Sequence, residues 1–187
     1  MSLIPGVIAS GISGHLGGNY TSIATQTLGS ATSTITFSSI PSTYTHLQLR
    51  GIWQNTAGGN GYAAMTFNGV TTGNLYSGHV LGGNGSSAFA NTADGQSANL
   101  FFVGSSAQTS SMMTAGIIDI LDYTNTNKNK TVRTFYGYDT NGGTYTQEIG
   151  LASGLFMSTN AISSLTLSLT QGTNFAQYSS FALYGVK

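Results

Sequence analysis

The chain has 187 residues, of which only ten are charged, five basic and five acidic, so its formal net charge is zero. That balance supplies no basic patch for a phosphate backbone and argues against nucleic acid as a partner. The absence of cysteine excludes a disulfide framework, a thiolate nucleophile and a cysteine-type zinc site.

Ten Tyr, nine Phe and one Trp within a 40% hydrophobic composition are enough to build a core. Gly, Ser, Thr and Asn (26, 24, 26 and 14 residues) fill nearly half the chain. Such a surface has few charges to hold copies of itself apart, which suits a part built into a permanent assembly better than a free enzyme. No apolar run approaches the roughly 18–20 residues of a membrane span, so no membrane partner is expected.

Residues 1–18 (MSLIPGVIASGISGHLGG) carry no charge. Leu3, Ile4, Val7, Ile8, Ile12 and Leu16 supply the apolar side chains, most of them at helical spacing. Gly6, Gly11 and Gly14 argue against a stable isolated helix, and the lack of a basic leading region makes a poor signal peptide. The expectation is an apolar arm over 1–18, docked on its own domain or inserted into a neighbouring subunit, followed by one domain over 19–187.

From Tyr20 onward the dominant period is two, the strand period. Leu47 and Leu49 alternate with His46, Gln48 and Arg50, and Trp53 continues the apolar face. Tyr62–Phe67, Asn68-Gly69 and the residues from Val70 read as a hairpin, since both turn residues tolerate positive φ. Gly82–Ser87 reads as a flexible glycine-rich loop. Over Ala115–Tyr123 apolar residues occupy both parities (Ile117 and Leu121 on one, Ile118 and Ile120 on the other), which predicts a strand buried on both faces. Thr131–Tyr138 and Tyr145–Leu151 read as a second hairpin through Asn141-Gly142-Gly143. Leu165, Leu167 and Leu169 alternate with Thr166 and Ser168, and Phe181 and Leu183 oppose Ala182, Tyr184 and Val186. About nine or ten strands of ordinary length and no amphipathic helix predict an all-β fold. Its expected form is an antiparallel β-sandwich, a jelly roll ahead of other Greek keys, with an extended N-terminal arm.

Seven of the ten charges lie between Asp119 and Glu148. A glycoside-cleaving pair needs two carboxylates roughly 5–10 Å apart. Asp119 and Asp122, three positions apart, point to opposite faces of a strand, so a solvent-facing charged hairpin with Asp–Lys/Arg pairs is the expected role. The loop Asp122–Lys130 offers one carboxylate and several amide oxygens, short of a calcium ligand set, and its lysines repel a cation. His15, His46 and His79 lack zinc spacing. No catalytic residue, metal or cofactor is expected. Trp53, Tyr136, Tyr138 and Tyr145 could form a glycan-stacking platform, but packing in the core or between subunits is the favoured expectation, since half-buried strands are enriched in Tyr anyway.

Four stretches, Leu3–Leu16 (LIPGVIASGISGHL), Ile35–Gly51 (ITFSSIPSTYTHLQLRG), Ile117–Arg133 (IIDILDYTNTNKNKTVR) and Asn174–Lys187 (NFAQYSSFALYGVK), resemble a family of small virion structural proteins of tailed bacteriophages, cyanophages included. The resemblance implies a β-sandwich, often a homotrimer, on the outside of a virion and made in the host cytoplasm. A capsid decoration (cement) protein is the leading expectation, with the major capsid protein and itself as partners and the arm as the capsid contact. A tail-fibre or receptor-binding module is the alternative.

Overall fold

The computed structural model describes residues 19–56, 62–94, 113–139, 147–169 and 174–187. The expected arm over 1–18 lies outside them. Eleven strands are present among the described residues: β1 (Tyr20–Thr27), β2 (Thr34–Phe37), β3 (His46–Trp53), β4 (Ala63–Phe67), β5 (Tyr76–Gly83), β6 (Ala88–Asp94), β7 (Thr114–Leu121), β8 (Lys130–Tyr138), β9 (Glu148–Phe156), β10 (Leu165–Leu169) and β11 (Ser180–Val186). They form two sheets, an eight-stranded one in the order β1-β11-β3-β7-β8-β9-β5-β6 and a three-stranded one in the order β2-β10-β4. Every pairing is antiparallel. From β1 to β4 the chain alternates between sheets, and the last two strands slot between the first four, β11 between β1 and β3, β10 between β2 and β4.

Strand alternation sets what each sheet buries. In β10, Leu165, Leu167 and Leu169 are buried while Thr166 and Ser168 are partly open, as their period predicts. They join Ile35 and Phe37 of β2 and Met65 and Phe67 of β4 in one core. The facing side of the large sheet supplies Leu47, Leu49, Ile118, Ile120, Val132, Phe156 and Leu183 to the same core. Phe67 contacts Phe156 at 5.5 Å between centroids, and Phe156 stacks on Tyr76 at 4.7 Å. The Tyr76 hydroxyl donates to the Val70 carbonyl at 2.9 Å and accepts from the Phe67 amide at 3.1 Å, so a buried phenol satisfies two backbone groups across the sheets.

Glycine and aromatic residues are matched across strands on the inner face. A β-carbon on Gly150 would stand 2.4 Å from the ring of Tyr136, its register partner, and one on Gly82 would stand 2.3 Å from that of Phe89, also its partner. One on Gly51 would meet Phe181 at 2.8 Å, and one on Gly116 would meet Trp53 at 2.5 Å. Trp53 and Phe181 are themselves stacked at 5.6 Å. A large ring lying over a bare backbone keeps packing dense where two large side chains would not fit. Part of the high glycine content is therefore core architecture.

Three sequence expectations are corrected. Asn68 and Gly69 both take positive φ (52° and 69°), and the Val70 amide closes the turn on the Phe67 carbonyl. No hairpin follows, because β4 pairs with β10 while β5 joins the other sheet. Asn68 instead ties down the segment before β10, its Oδ1 accepting from the amides of Ser163 and Ser164 and its Nδ2 donating to the Ala161 carbonyl. Residues 82–87 do not form a flexible loop. Gly82 and Gly83 belong to β5, and Asn84 Oδ1 accepts from the Ser86 and Ser87 amides to shape a tight β5–β6 turn. Finally, β7 is buried on one face only, with Ile118 and Ile120 inside and Ile117 41% exposed. The second expected hairpin keeps its strands, since β8 and β9 pair along their length. Its turn lies outside the described residues.

Four tyrosines resist ionisation. Burial raises the pKa of Tyr76, Tyr123, Tyr136 and Tyr138, and the Glu148 carboxylate raises the last two further. A raised phenol pKa contributes stability that is complete below the unfolded-state value of about 10 and is lost as pH rises above it. Spectrophotometric titration is expected to show these four rings ionising at higher pH than a free phenol, with denaturant stability falling above pH ~10. Stability that is flat from pH 9 to 12 would contradict the burial of these phenols.

Candidate docking face

The outer side of the eight-stranded sheet faces away from the core, and the strand register draws three rows across it. The middle row runs Ala90, Leu81, Leu151, Phe135, Ile117, then Arg50, each residue the register partner of the next. Beside it lies a row of Ala88, Gly83, Ile149, Gly137, Ala115 and Ile52. On the other flank lies a polar row of Thr92, His79, Ser153, Arg133, Asp119 and Gln48. Leu81, Leu151, Ile149, Phe135, Ile52 and Ile117 are between 41% and 60% exposed. A soluble monomer scatters its exposed apolar residues singly, whereas a contiguous apolar patch marks a contact surface.

The face is grooved. A depression of ≈ 550 Å³ crosses β6, β5, β9 and β8 between Leu81, Leu151, His79 and Arg133. Others of ≈ 360 Å³, beside Ile52 and Ile117, and ≈ 180 Å³, beside Phe135 and Ile149, lie on the same side. Arg133 makes no hydrogen bond or ion pair among the described residues, so its guanidinium is available at the rim.

Toward β1 the face becomes polar and internally satisfied. Gln48 Nε2 donates to Asp119 Oδ1 at 2.7 Å, and Arg50 Nε donates to Gln48 Oε1 at 2.6 Å. The Arg50 guanidinium lies 4.9 Å from the Tyr20 ring centroid and 5.1 Å from that of Tyr184, a cation held by two aromatic faces. This chain of contacts fixes five side chains and explains the burial of Gln48 on an otherwise outer parity.

The carboxylates do not converge. Asp119 is on the outer side, while Glu148 accepts from the hydroxyls of Tyr136 (2.6 Å) and Tyr138 (3.5 Å) on the inner side. Asp122, past the end of β7 at φ 49°, pairs with Lys128 at 2.9 Å. Lys128, through its hydrogen bond and its charge, holds the Asp122 carboxyl below the usual carboxylate range. Asp139 follows β8 and is exposed. In the 122–130 loop the fully buried Lys130 ammonium donates to the carbonyls of Asn125, Lys128 (2.9 Å) and Thr159 (3.1 Å). Those oxygens are the ones a bound cation would need. His46 accepts the Asp122 amide at 3.0 Å, His79 is exposed on the outer face, and His15 lies outside the described residues. Among the described residues no three His, Cys, Asp or Glu are grouped to hold a metal, and no helix is long and apolar enough to cross a membrane.

Of the aromatics singled out from sequence, Trp53, Tyr136 and Tyr138 are 2%, 1% and 7% exposed. Their rings belong to the core, which removes them as glycan or subunit platforms. Tyr145 lies outside the described residues, as do Leu3, Ile4, Val7, Ile8, Ile12 and Leu16. The exposed ring of β8 is Phe135, one position from Tyr136 and therefore on the opposite side. Its signal was available in the double-parity apolar pattern of β7 and β9, where Ile149 and Leu151 alternate with the inner Gly150 and Ala152. Neither protein-family models, curated proteins nor solved structures give a match to this chain.

Proposed function

We propose that the chain is a virion structural protein, a capsid decoration (cement) part that binds the outer shell of a tailed bacteriophage and stabilises it. The carrying observation is the apolar row across β6, β5, β9, β8 and β7 on a chain with only ten charges. An exposed sheet face of that kind favours burial against another protein surface. The sequence resemblance to small phage virion proteins supplies the setting. The interleaving of β1–β4 with β10 and β11 supports reading the sandwich as a jelly roll extended at one edge by β8, β9, β5 and β6.

In this reading the apolar side chains of the arm, Leu3, Ile4, Val7, Ile8, Ile12 and Leu16, lie in grooves of the shell, and the sandwich adds buried area across capsomer joints. Counting copies in purified particles by quantitative mass spectrometry is the test. A shell part is expected at hundreds of copies, on the order set by icosahedral repetition. A handful of copies would favour the tail-fibre or receptor-binding reading instead. That second reading draws on the groove where Arg133, His79 and Ser153 stand beside leucines, a mixture of donors and apolar surface able to hold a sugar. Deleting residues 1–18 is expected to abolish capsid binding and leave Trp53 emission unchanged; a truncated chain that still saturates capsids would remove the arm from the mechanism.

A further inference from the structure

We propose that the outer face of the eight-stranded sheet docks onto the same face of a second copy of the chain, about a two-fold axis parallel to the strands between β8 and β9. The proposal rests on the reading of the chain as an assembly part and names the partner of its apolar face.

An axis in that place exchanges β8 with β9, β7 with β5 and β3 with β6, as the strand order dictates. On the middle row Leu151 then meets the partner's Phe135, and Leu81 meets the partner's Ile117. On the second row large meets small, with Ile149 over the partner's Gly137 and Ile52 over the partner's Ala88. Interdigitation of that kind is what two packed sheet faces require. On the polar row Arg133 meets the partner's Ser153, and Asp119 meets the partner's His79, an acceptor opposite an imidazole. No like charges oppose one another. Moving the axis onto β8 would set the Arg133 side chains of the two copies together, which is unfavourable.

The area is sufficient. Six apolar side chains, each about half exposed, present on the order of 500 Å². The flanking Arg133, His79, Ser153 and Thr92 bring each face near the roughly 800 Å² per partner of a stable interface. The second row carries four small residues, Gly83, Gly137, Ala88 and Ala115, which leave room for the partner's Ile149 and the partner's Ile52.

Sedimentation equilibrium on the full chain from 1 to 100 µM, as order-of-magnitude bounds, is the first measurement. A dimer is expected, and Leu151→Arg is expected to weaken it at least about a hundredfold with Trp53 emission, the check on the fold, unchanged. Should Leu151→Arg fail to fold, Leu81→Gln takes its place. The absence of cysteine makes a second measurement clean. Ala115→Cys and Gly83→Cys chains, mixed and treated with a bis-maleimide of about 8 Å, are expected to link to each other and only weakly to themselves. Like residues of the two copies stand three strand spacings apart, roughly 14 Å along the sheet. A monomer at 100 µM, a dimer indifferent to Leu151→Arg, or self-linking as strong as mixed linking would each overturn the proposal. None of these outcomes alters the copy number in particles, which tests the virion reading separately.

Discussion

The Lys130→Met chain is expected to melt about 6–12 °C below the parent, from a loss of about 3 kcal/mol or more. Lys130 is fully buried, and its ammonium is the hydrogen-bond donor shared by the carbonyls of Asn125, Lys128 and Thr159. Loss of solvent lowers its pKa, with Asp122 opposing weakly from a distance. Methionine fills the volume and donates nothing, so three carbonyls drawn together around a charge are left without it. A hydrogen bond to a charged group contributes about 1.5–3 kcal/mol, and three of them end on this one ammonium. Lys128, two positions earlier, is the internal comparison. It pairs with Asp122 on the surface, 62% exposed, and Lys128→Met is expected to cost under about 1 kcal/mol. Thermal melts of the two variants give the contrast directly. Equal losses would mean that the 122–130 loop is not organised around Lys130.

Gly150→Val is the second large effect, at about 3 kcal/mol or more. Its first β-carbon would stand 2.4 Å from the Tyr136 ring, which is 1% exposed and has no room to withdraw. Overpacking of that kind costs roughly 1–3 kcal/mol. Displacing the ring also breaks the 2.6 Å hydrogen bond from Tyr136 to Glu148, a bond to a charged acceptor worth about 1.5–3 kcal/mol. Gly29, where a β-carbon would meet nothing within 4 Å, supplies the control, and Gly29→Ala is expected to be near neutral. Chemical denaturation of both variants, with Trp53 emission as the probe, separates them. A Gly150→Val chain as stable as Gly29→Ala would contradict the matching of glycines with aromatic rings.

The strand content and most inner faces were legible because the period-two pattern is strong in β3, β10 and β11. Leu165–Leu169 and Phe181–Leu183 point inward as their spacing requires. Pairing was less legible. Asn68-Gly69 has the chemistry of a hairpin turn and adopts its φ values, yet the strand after it crosses to the other sheet. Turn propensity is local, whereas the choice of neighbour is made by core burial. Strand β10, almost 100 residues later in the chain, outcompetes β5 for the edge of β4 because its three leucines complete the core over Met65 and Phe67.

The docking face was half legible. Apolar residues on both parities of β7 signal burial on both sides, and the fold covers only one of them. Charge clustering around Asp119–Glu148 pointed instead to a solvent-facing hairpin. That holds for Asp122 and Lys128, but Phe135 and Ile117 lie in the same stretch and carry the apolar row. The aromatic residues Trp53, Tyr136 and Tyr138 drew attention by type, and only register decides which of two adjacent rings faces out. Sequence gives composition along a strand; the sheet converts it into a surface by stacking one residue from each strand.

Cryo-electron microscopy of the intact particle tests the central claim most directly. The sandwich is expected on the outer shell with the outer face of its eight-stranded sheet covered by protein and Leu81, Leu151, Phe135 and Ile117 buried. Density that leaves this face open to solvent, or a shell that lacks the sandwich altogether, would contradict it.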